Sequence, residues 1–218
     1  NPDATGGTFD SRVCYYGLSN YNANKTTFNN TVFINTPITI DRYGSLYFGV
    51  QVTGTNPSSL VSSIVKIKYD GTSTIKPVTT AASDSSMTKV AHNSAPALSI
   101  DGTKLYVAVS NANGTNSGSG YLLCLNTSDM STAGKVRLKD PKTGSDAGIH
   151  DDGTASPTVG TDGDVYFGVL ETPFLSNHDR GWLLHFNSTL TQTKTPAAFG
   201  WDDTASALPS SMVPGYTG

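Results

Sequence analysis

Three short segments place an aromatic or imidazole ring next to acidic or amide groups and small residues. They begin at His92, His150 and Trp201. Neighbouring carboxylate and amide oxygens suit a divalent cation such as Ca²⁺ or a polar ligand, and paired carboxylates can also perform acid–base catalysis. Asp and Asn equally often cap turns by binding backbone amides, so a structural interpretation stays open for each segment. The candidate ligand-binding residues are His92, Asn93, His150, Asp151, Asp152, Trp201, Asp202 and Asp203, with Asp152 and Asp203 as candidate metal ligands.

A fourth polar segment, His178-Asp179-Arg180, lies in a predicted long loop. Arg180 could bind an anionic group, although solvated charges are the usual occupants of such loops. His185 lies inside a predicted strand, at a position that the repeat assigns to Lys68 and Cys124 in the other copies. Lysine, cysteine and histidine share no common chemistry at this repeated position. We therefore expect His185 to have a structural role.

The elements that position these residues are copies of one unit, best seen in residues 155–187. A Ser-Pro step opens a short apolar run, Asp162-Gly163 interrupts it, an apolar strand follows at 165–169, and a further strand closes the unit at 181–187. Two strands joined by a tight turn, followed by a third strand, is the expected structure. The corresponding turn glycines are Gly44, Gly102 and Gly163, which are 58 and 61 residues apart.

The second strand of each copy is apolar at successive positions, which predicts that both of its faces are buried. Stacked antiparallel sheets satisfy that requirement. The fourth strand of each copy is more polar, with lysines and a proline that are typical of an outer edge strand. The sequence therefore predicts an all-β protein built from four-stranded antiparallel blades, at about 36–80, 95–140 and 156–196.

The quoted repeat resembles a known type of blade. Ser156-Pro157, Asp162-Gly163-Asp164-Val165-Tyr166 and Gly181-Trp182-Leu183-Leu184 resemble the blade repeat of pyrroloquinoline-quinone-type β-propellers, and residues 95–106 also resemble the TolB-type blade. The resemblance implies a β-propeller and leaves activity open, since these families include dehydrogenases, assembly factors and binding scaffolds. The quinone-dependent dehydrogenases among them carry adjacent cysteines and a characteristic blade tryptophan, which this chain lacks, and this argues against quinone binding.

Propellers close with about four to eight blades, and the repeat accounts for three. We therefore expect residues 1–218 to form one partial propeller domain, with residues 1–35 and 197–218 as parts of flanking blades. The same chain or another chain would supply the remaining blades.

The composition of the chain limits which binding partners and which cellular compartment we expect. The net charge is −3 and the charged fraction is 14%, so nucleic acid is an unexpected partner, and no apolar run is long enough for a membrane span. Cys124 is expected to be a small core residue, with a disulfide to Cys14 as the alternative. Asn-x-Ser/Thr sequons at Asn24, Asn29, Asn113, Asn126 and Asn187, and a start without methionine, point to a processed, secreted or periplasmic protein.

Two hypotheses for function follow. The first is a binding or scaffold module whose small-molecule or protein ligand contacts the mouth of the channel, where the loops at 53–62, 111–119 and 171–180 should meet the connections that carry the ring–acid segments. The alternative is an oxidoreductase or hydrolase that uses the acids at this mouth with calcium or a quinone. A purely structural adhesion or surface-layer repeat is a third possibility. No catalytic motif singles out a catalytic residue.

Overall fold

The computed structural model describes residues 12–113, 118–151 and 155–216. These residues form mostly antiparallel β-strands with a few short helices, in three separate sheets. The expected all-β class is confirmed at this level. The described residues do not close a ring, so the propeller itself stays a prediction.

The first sheet contains β1 (Val32–Ile34), β2 (Thr39–Ile40), β3 (Leu46–Val52), β4 (Ser63–Ile67) and β5 (Ser73–Pro77). The second contains β6 (Lys89–Val90), β7 (Ala97–Leu98), β8 (Lys104–Ser110), β9 (Gly120–Asn126) and β10 (Thr132–Arg137). The third contains β11 (Thr158–Val159), β12 (Val165–Val169), β13 (Trp182–Phe186) and β14 (Ala197–Ala198). Helices α1 (Leu18–Ala23) and α2 (Lys25–Thr31) precede the first sheet, α3 (Val78–Ala82) links the first two sheets, and a 3₁₀ turn covers Ser210–Met212.

The strand at the first edge of each sheet is interrupted in the middle. β1 and β2 pair with opposite ends of β3, and β6 and β7 pair with opposite ends of β8. In the third sheet, Gly148 bridges Leu170 while β11 pairs with the start of β12. The interruption at 91–96 contains His92 and Asn93, and the described part of the third interruption contains His150 and Asp151.

The tight turns form as predicted. Gly44, Gly102 and Gly163 have φ values of 80°, 74° and 86°, which glycine adopts without the steric cost that a side chain would add. These turns fix the register of the strands that follow.

The second strands of the first two sheets, β3 and β8, are buried on both faces, as predicted, whereas Tyr166 of β12 is only half-buried. Tyr47 and Ile64 of the first sheet pack against Leu105 and Leu123 of the second sheet. Tyr106, on the opposite face of the second sheet, packs with Phe167 of the third sheet. Apolar burial between stacked sheets is thus the main stabilising contribution that the repeat makes.

Close approach between sheets explains one glycine of the repeat. A Cβ on Gly49 would lie 2.6 Å from the Cβ of Val90 in the neighbouring sheet. No side chain fits there, so the apolar run in β3 has a gap at this position.

The N-terminal region differs from the sequence-based expectation. The sequence suggests strands at 12–18 and 31–34, separated by an asparagine-rich loop at 19–30. The second strand forms as Val32–Ile34, but the asparagine-rich segment forms α1 and α2, and residues 12–18 contain no strand. Phe28 is buried against Tyr16, with ring centroids 4.5 Å apart. This tertiary contact stabilises a helix that local propensity does not favour.

Two further expectations are corrected. Tyr47, Tyr106 and Tyr166 lie opposite Lys66, Cys124 and His185 respectively, so the counterpart of His185 in the first sheet is Lys66 rather than Lys68. The last strand of the third sheet is Ala197–Ala198, beyond the expected end of the blade at residue 196, and Thr193 makes only an isolated bridge to Phe186.

Both cysteines are free, and Cys124 is buried in the core. The core-residue interpretation of Cys124 is therefore confirmed over the disulfide. Within the described residues, no helix is both long enough and apolar enough to cross a membrane.

Candidate functional site

A cleft of about 620 Å³ opens where β3 and β8 end. It lies between the interrupted inner strands of the second and third sheets and the first residues of two long loops. We call it the Lys89–Asp151 cleft. Its lining residues are Gln51, Val52, Thr53, Ser62, Thr88, Lys89, His92, Asn111, Ala112, Asn113 and Asp151.

Two of the predicted ligand-binding residues meet in this cleft. His92 follows β6, within the interruption of the second sheet, and Asp151 lies in the equivalent interruption of the third sheet. A two-bond bridge holds Asp151 near the second sheet: Gly118 and Ile149 exchange backbone hydrogen bonds of 3.0 and 2.7 Å. A Cβ on Gly118 would lie 2.3 Å from the backbone nitrogen of Ala112, so this bridge requires glycine.

The floor of the cleft is an ion pair between Lys89 and Asp151. The two side chains are only 5% and 17% exposed. Withdrawing charges from water costs several kcal/mol, which their mutual attraction offsets only when both partners are present. Asp151 is therefore paired with Lys89, and both residues line the cleft.

The remainder of the lining combines the apolar side chains of Val52 and Ala112 with amides and hydroxyls from Gln51, Thr53, Ser62, Asn111 and Asn113. The two charges of the ion pair cancel. The lining consequently presents many hydrogen-bond donors and acceptors without a strong electrostatic preference for cations or anions.

His150 and Trp201 are also brought together, although neither lines the cleft. Their ring centroids are 5.2 Å apart, with the planes tilted by 55°. Trp201 lies in a segment that crosses the third sheet at Gly168, since a Cβ on Gly168 would be 3.2 Å from the Trp201 carbonyl oxygen. The contact is consistent with a packing role for both rings.

Asn93 contributes its backbone N–H to a contact between two sheets. It is exposed, adopts a left-handed conformation with φ 60°, and donates its backbone N–H to the Asn35 carbonyl at 2.9 Å. This bond joins the interruptions of the first two sheets.

His178, Asp179 and Arg180 are exposed on the third long loop, and none of them lines the cleft. His178 and Asp179 have φ values of 59° and 63°. This conformation turns the backbone N–H of Asp179 toward the buried Glu171, whose Oε1 accepts it at 3.0 Å. The geometry accounts for the backbone of this segment, and an anion-binding role for Arg180 stays a prediction.

The metal-site prediction is not tested. Asp152 lies outside the described residues, and Asp202 and Asp203 are exposed. Among 12–113, 118–151 and 155–216, no three His, Cys, Asp or Glu side chains are grouped so that they could hold a metal ion.

Sequence reasoning missed three important polar residues: Lys89, Asp140 and Glu171. Asp140 is completely buried. Its Oδ1 accepts the backbone N–H groups of Lys142 and Thr143 at 2.8 and 3.0 Å. Its Oδ2 accepts the Thr172 N–H at 2.8 Å and Trp182 Nε1 at 3.1 Å.

These donors decide the charge state of Asp140. Burial alone would raise its pKa, but the N–H groups of Thr172, Thr143 and Lys142, together with Trp182, outweigh burial and lower the pKa below its ordinary value. The signal in the sequence was a turn pattern, Asp140-Pro141 followed by Gly144. That pattern predicts a turn and cannot reveal a bond to Trp182, which is 42 residues away.

A scan against protein-family models and a search of curated proteins both found no match to this chain.

Proposed function

We propose that this protein is a secreted or periplasmic β-propeller module that binds an uncharged polar small molecule in the Lys89–Asp151 cleft. The cleft carries the proposal, because a concave site of suitable size contains two residues that the sequence pattern selected independently. Small-molecule sites typically measure about 300–1,000 Å³, and this cleft of about 620 Å³ lies within that range.

The arrangement of the sheets supports the propeller part of the proposal. The innermost strands follow one another with repeated hydrogen bonds between neighbouring sheets. Ser94 Oγ donates to the Ala155 carbonyl at 2.8 Å, and Asn35 Nδ2 donates to the Val90 carbonyl at 2.8 Å. Hydrogen bonds between the first strands of neighbouring sheets are expected when sheets pack radially around one axis.

The lining of the cleft supports the ligand class. A hydroxyl-rich molecule can exchange its hydrogen bonds to water for bonds to the amides of Gln51, Asn111 and Asn113 and to the hydroxyls of Thr53 and Ser62. Asp151 offers an anionic acceptor, and hydrogen bonds to charged groups are the stronger ones. Because Lys89 already neutralises Asp151, a charged ligand would leave an uncompensated charge in the cleft.

Neutral sugars and polyols are the direct test. We expect at least one member of a panel of neutral mono- and oligosaccharides to raise the melting temperature in a saturable manner, since a ligand that binds only the native state stabilises it. Matched sulfated and amino sugars should have a smaller effect. Isothermal titration calorimetry would then give the dissociation constant.

Variants localise the binding. Asp151→Asn should weaken binding by about tenfold or more, because a charge-assisted hydrogen bond contributes about 1.5–3 kcal/mol. Thr53→Val, which removes one exposed lining hydroxyl, should weaken binding less. Asp202→Asn is the matched control, because Asp202 is exposed and does not line the cleft.

Two outcomes would contradict this proposal. One is the absence of any saturable shift across the neutral panel. The other is a bound sugar whose affinity is the same in Asp151→Asn, Thr53→Val and the parent protein.

A further inference from the structure

One face of the third sheet lacks the cover that its counterparts have. Tyr166, Leu183 and His185 share this face, because Tyr166 lies opposite His185 and Gly168 lies opposite Leu183. We call it the Tyr166 face. All three side chains are only half-buried.

The same positions are buried in the other two sheets. In the first sheet they are Tyr47, Ile64 and Lys66, and in the second sheet Tyr106, Leu122 and Cys124. The two tyrosines, Ile64 and Leu122 are 0% exposed, and Cys124 is 1% exposed. The difference therefore lies in the neighbour that packs on the face rather than in the face itself.

The neighbour uses the same element in both covered cases: the turn after the third strand of the next sheet. Lys66 Nζ donates to the Thr127 carbonyl at 2.6 Å. The Tyr106 hydroxyl donates to the Ser188 carbonyl at 2.7 Å, and Cys124 Sγ approaches the same oxygen at 3.9 Å.

Each of these turns also inserts one apolar side chain. Met130 is buried between the first and second sheets, and Leu190 is buried between the second and third. Their φ values are 61° and 59°, so both turns have the same left-handed step. A covering turn thus combines a carbonyl acceptor with a left-handed apolar residue.

The chain beyond the third sheet already follows the path of a next inner strand. The Ser156 N–H donates to Thr204 Oγ1 at 2.9 Å, just as the Ala95 N–H donates to Ser156 Oγ at 2.9 Å. Thr158 Oγ1 donates to the Ala205 carbonyl at 2.7 Å, as Thr39 Oγ1 donates to the Pro96 carbonyl at 2.5 Å. Residues 204–207 therefore bear the same relation to the third sheet that residues 156–159 bear to the second.

We propose that the Tyr166 face is a docking surface for a fourth four-stranded sheet of the same repeat, carried by the same polypeptide, with residues 204–207 as its innermost strand. The turn after its third strand places a backbone carbonyl against the Tyr166 hydroxyl or the His185 ring and an apolar side chain against Leu183. The proposal rests on the propeller arrangement given above and is independent of ligand binding in the Lys89–Asp151 cleft.

His185 is suited to this contact. Its ring stacks on Tyr166 with centroids 4.3 Å apart, and its Nε2 lies 2.8 Å from Asp164 Oδ2. Asp164 also pairs with Lys194. The ring is thus held between Tyr166 and Asp164, and the Tyr166 hydroxyl beside it is a hydrogen-bond donor of the same kind as the Tyr106 hydroxyl.

Tyrosine nitration tests the proposal on the unaltered protein. The sites are mapped by mass spectrometry, once on residues 1–218 and once on the polypeptide expressed from its own gene with whatever chain follows residue 218. The controls are internal: Tyr47 and Tyr106 are fully buried, and Tyr69 is 85% exposed. We expect Tyr166 to react readily in residues 1–218 and about tenfold more slowly in the longer polypeptide, where its reaction requires local opening.

A cysteine variant tests the same face with a different reaction, so that the result does not depend on the reactivity of Tyr166 alone. His185→Cys installs in the third sheet the residue that the second sheet has at Cys124, and its alkylation rate should fall in the longer polypeptide by a similar factor. Tyr69→Cys should be alkylated at the same rate in both proteins. Ligand binding in the cleft should be the same for His185→Cys as for the parent, so failure of the docking proposal and failure of the proposed function give different results.

Three outcomes would overturn the proposal. The first is equal nitration of Tyr166 in both proteins. The second is a gene that encodes no further sheet. The third is protection of Tyr166 in residues 1–218 that grows with protein concentration and accompanies a dimer in light scattering, which would make a second copy the occupant.

Discussion

Asp140, which is buried, and Asp151, which is partly exposed, are two carboxylates of one protein with different sets of hydrogen-bond partners. Asp140 is completely buried and accepts hydrogen bonds from three backbone N–H groups and one indole. Asp151 is 17% exposed and pairs with a single flexible lysine at the edge of a cleft. The fixed donors around Asp140 occupy its acceptor sites. The single partner of Asp151 leaves acceptor sites that a ligand can use. The number and rigidity of the donors therefore separate a structural carboxylate from one that can bind a ligand.

The two carboxylates also join different parts of the fold. Asp140 connects the turn after β10 to Thr172 and to Trp182 of β13, so it ties the second sheet to the third through groups that cannot move apart. Asp151 reaches back from the third sheet to Lys89 in β6. The hydrogen bonds of Asp140 hold the second and third sheets together, and the Lys89–Asp151 pair forms part of the cleft lining.

The largest predicted effect is that of Asp140→Ala. It removes the acceptor of four N–H hydrogen bonds at once. At about 1 kcal/mol or more for each bond, the free energy of unfolding should fall by about 4 kcal/mol or more. Urea denaturation followed by tryptophan fluorescence measures the loss. Asp202→Ala, at an exposed position, is the control and should lose far less. Similar losses in the two variants would show that Asp140 is not the structural centre inferred here.

A smaller loss is expected when the ion pair is broken. Lys89→Met keeps the length of the side chain and leaves Asp151 without its partner, so the unfolding free energy should fall by about 3 kcal/mol. The double variant Lys89→Met/Asp151→Leu should recover most of that loss, because no uncompensated charge remains. A double-mutant cycle in urea gives the coupling energy. If the double variant is no more stable than Lys89→Met, the pair is not electrostatically coupled as described.

The repeat explains why much of this fold was predictable from the sequence. The apolar run Tyr47-Phe48 and its counterparts predicted double-sided burial, because a sheet with two apolar faces must be covered on both. The turn glycines, including Gly102, predicted the hairpins. These signals are local and recur, so each copy supports the interpretation of the others.

The features that sequence reasoning missed depend on contacts between distant residues. Helix α2 is stabilised by packing of Phe28 on Tyr16, whereas its own composition suggests a loop. No pattern in the sequence singles out Lys89, and only Asp151, 62 residues further on, shows why it is buried. His92 could be selected because a ring beside an amide is visible in the sequence itself, whereas the partners of Lys89 and Asp140 are visible only once the sheets are packed.

The smallest predicted effect is a change in pH dependence that separates Asp140 from the other acids. Burial would raise its pKa, but its N–H donors lower the pKa below that of the unfolded chain. A lowered folded-state pKa contributes stability that is present above the unfolded value of about 3.9 and is lost as the pH falls through the folded value.

The comparison of the parent protein with Asp140→Asn isolates this contribution, since the other carboxylates titrate in both. At pH 7 the parent should be the more stable of the two, and the difference between their unfolding free energies should shrink as the pH falls below about 4, where the parent loses the contribution of the ionised Asp140. Urea denaturation at a series of pH values measures the two curves. Curves that run parallel through this range would mean that the charge of Asp140 does not contribute to stability. In that case the contrast with Asp151 would rest on hydrogen-bond geometry alone.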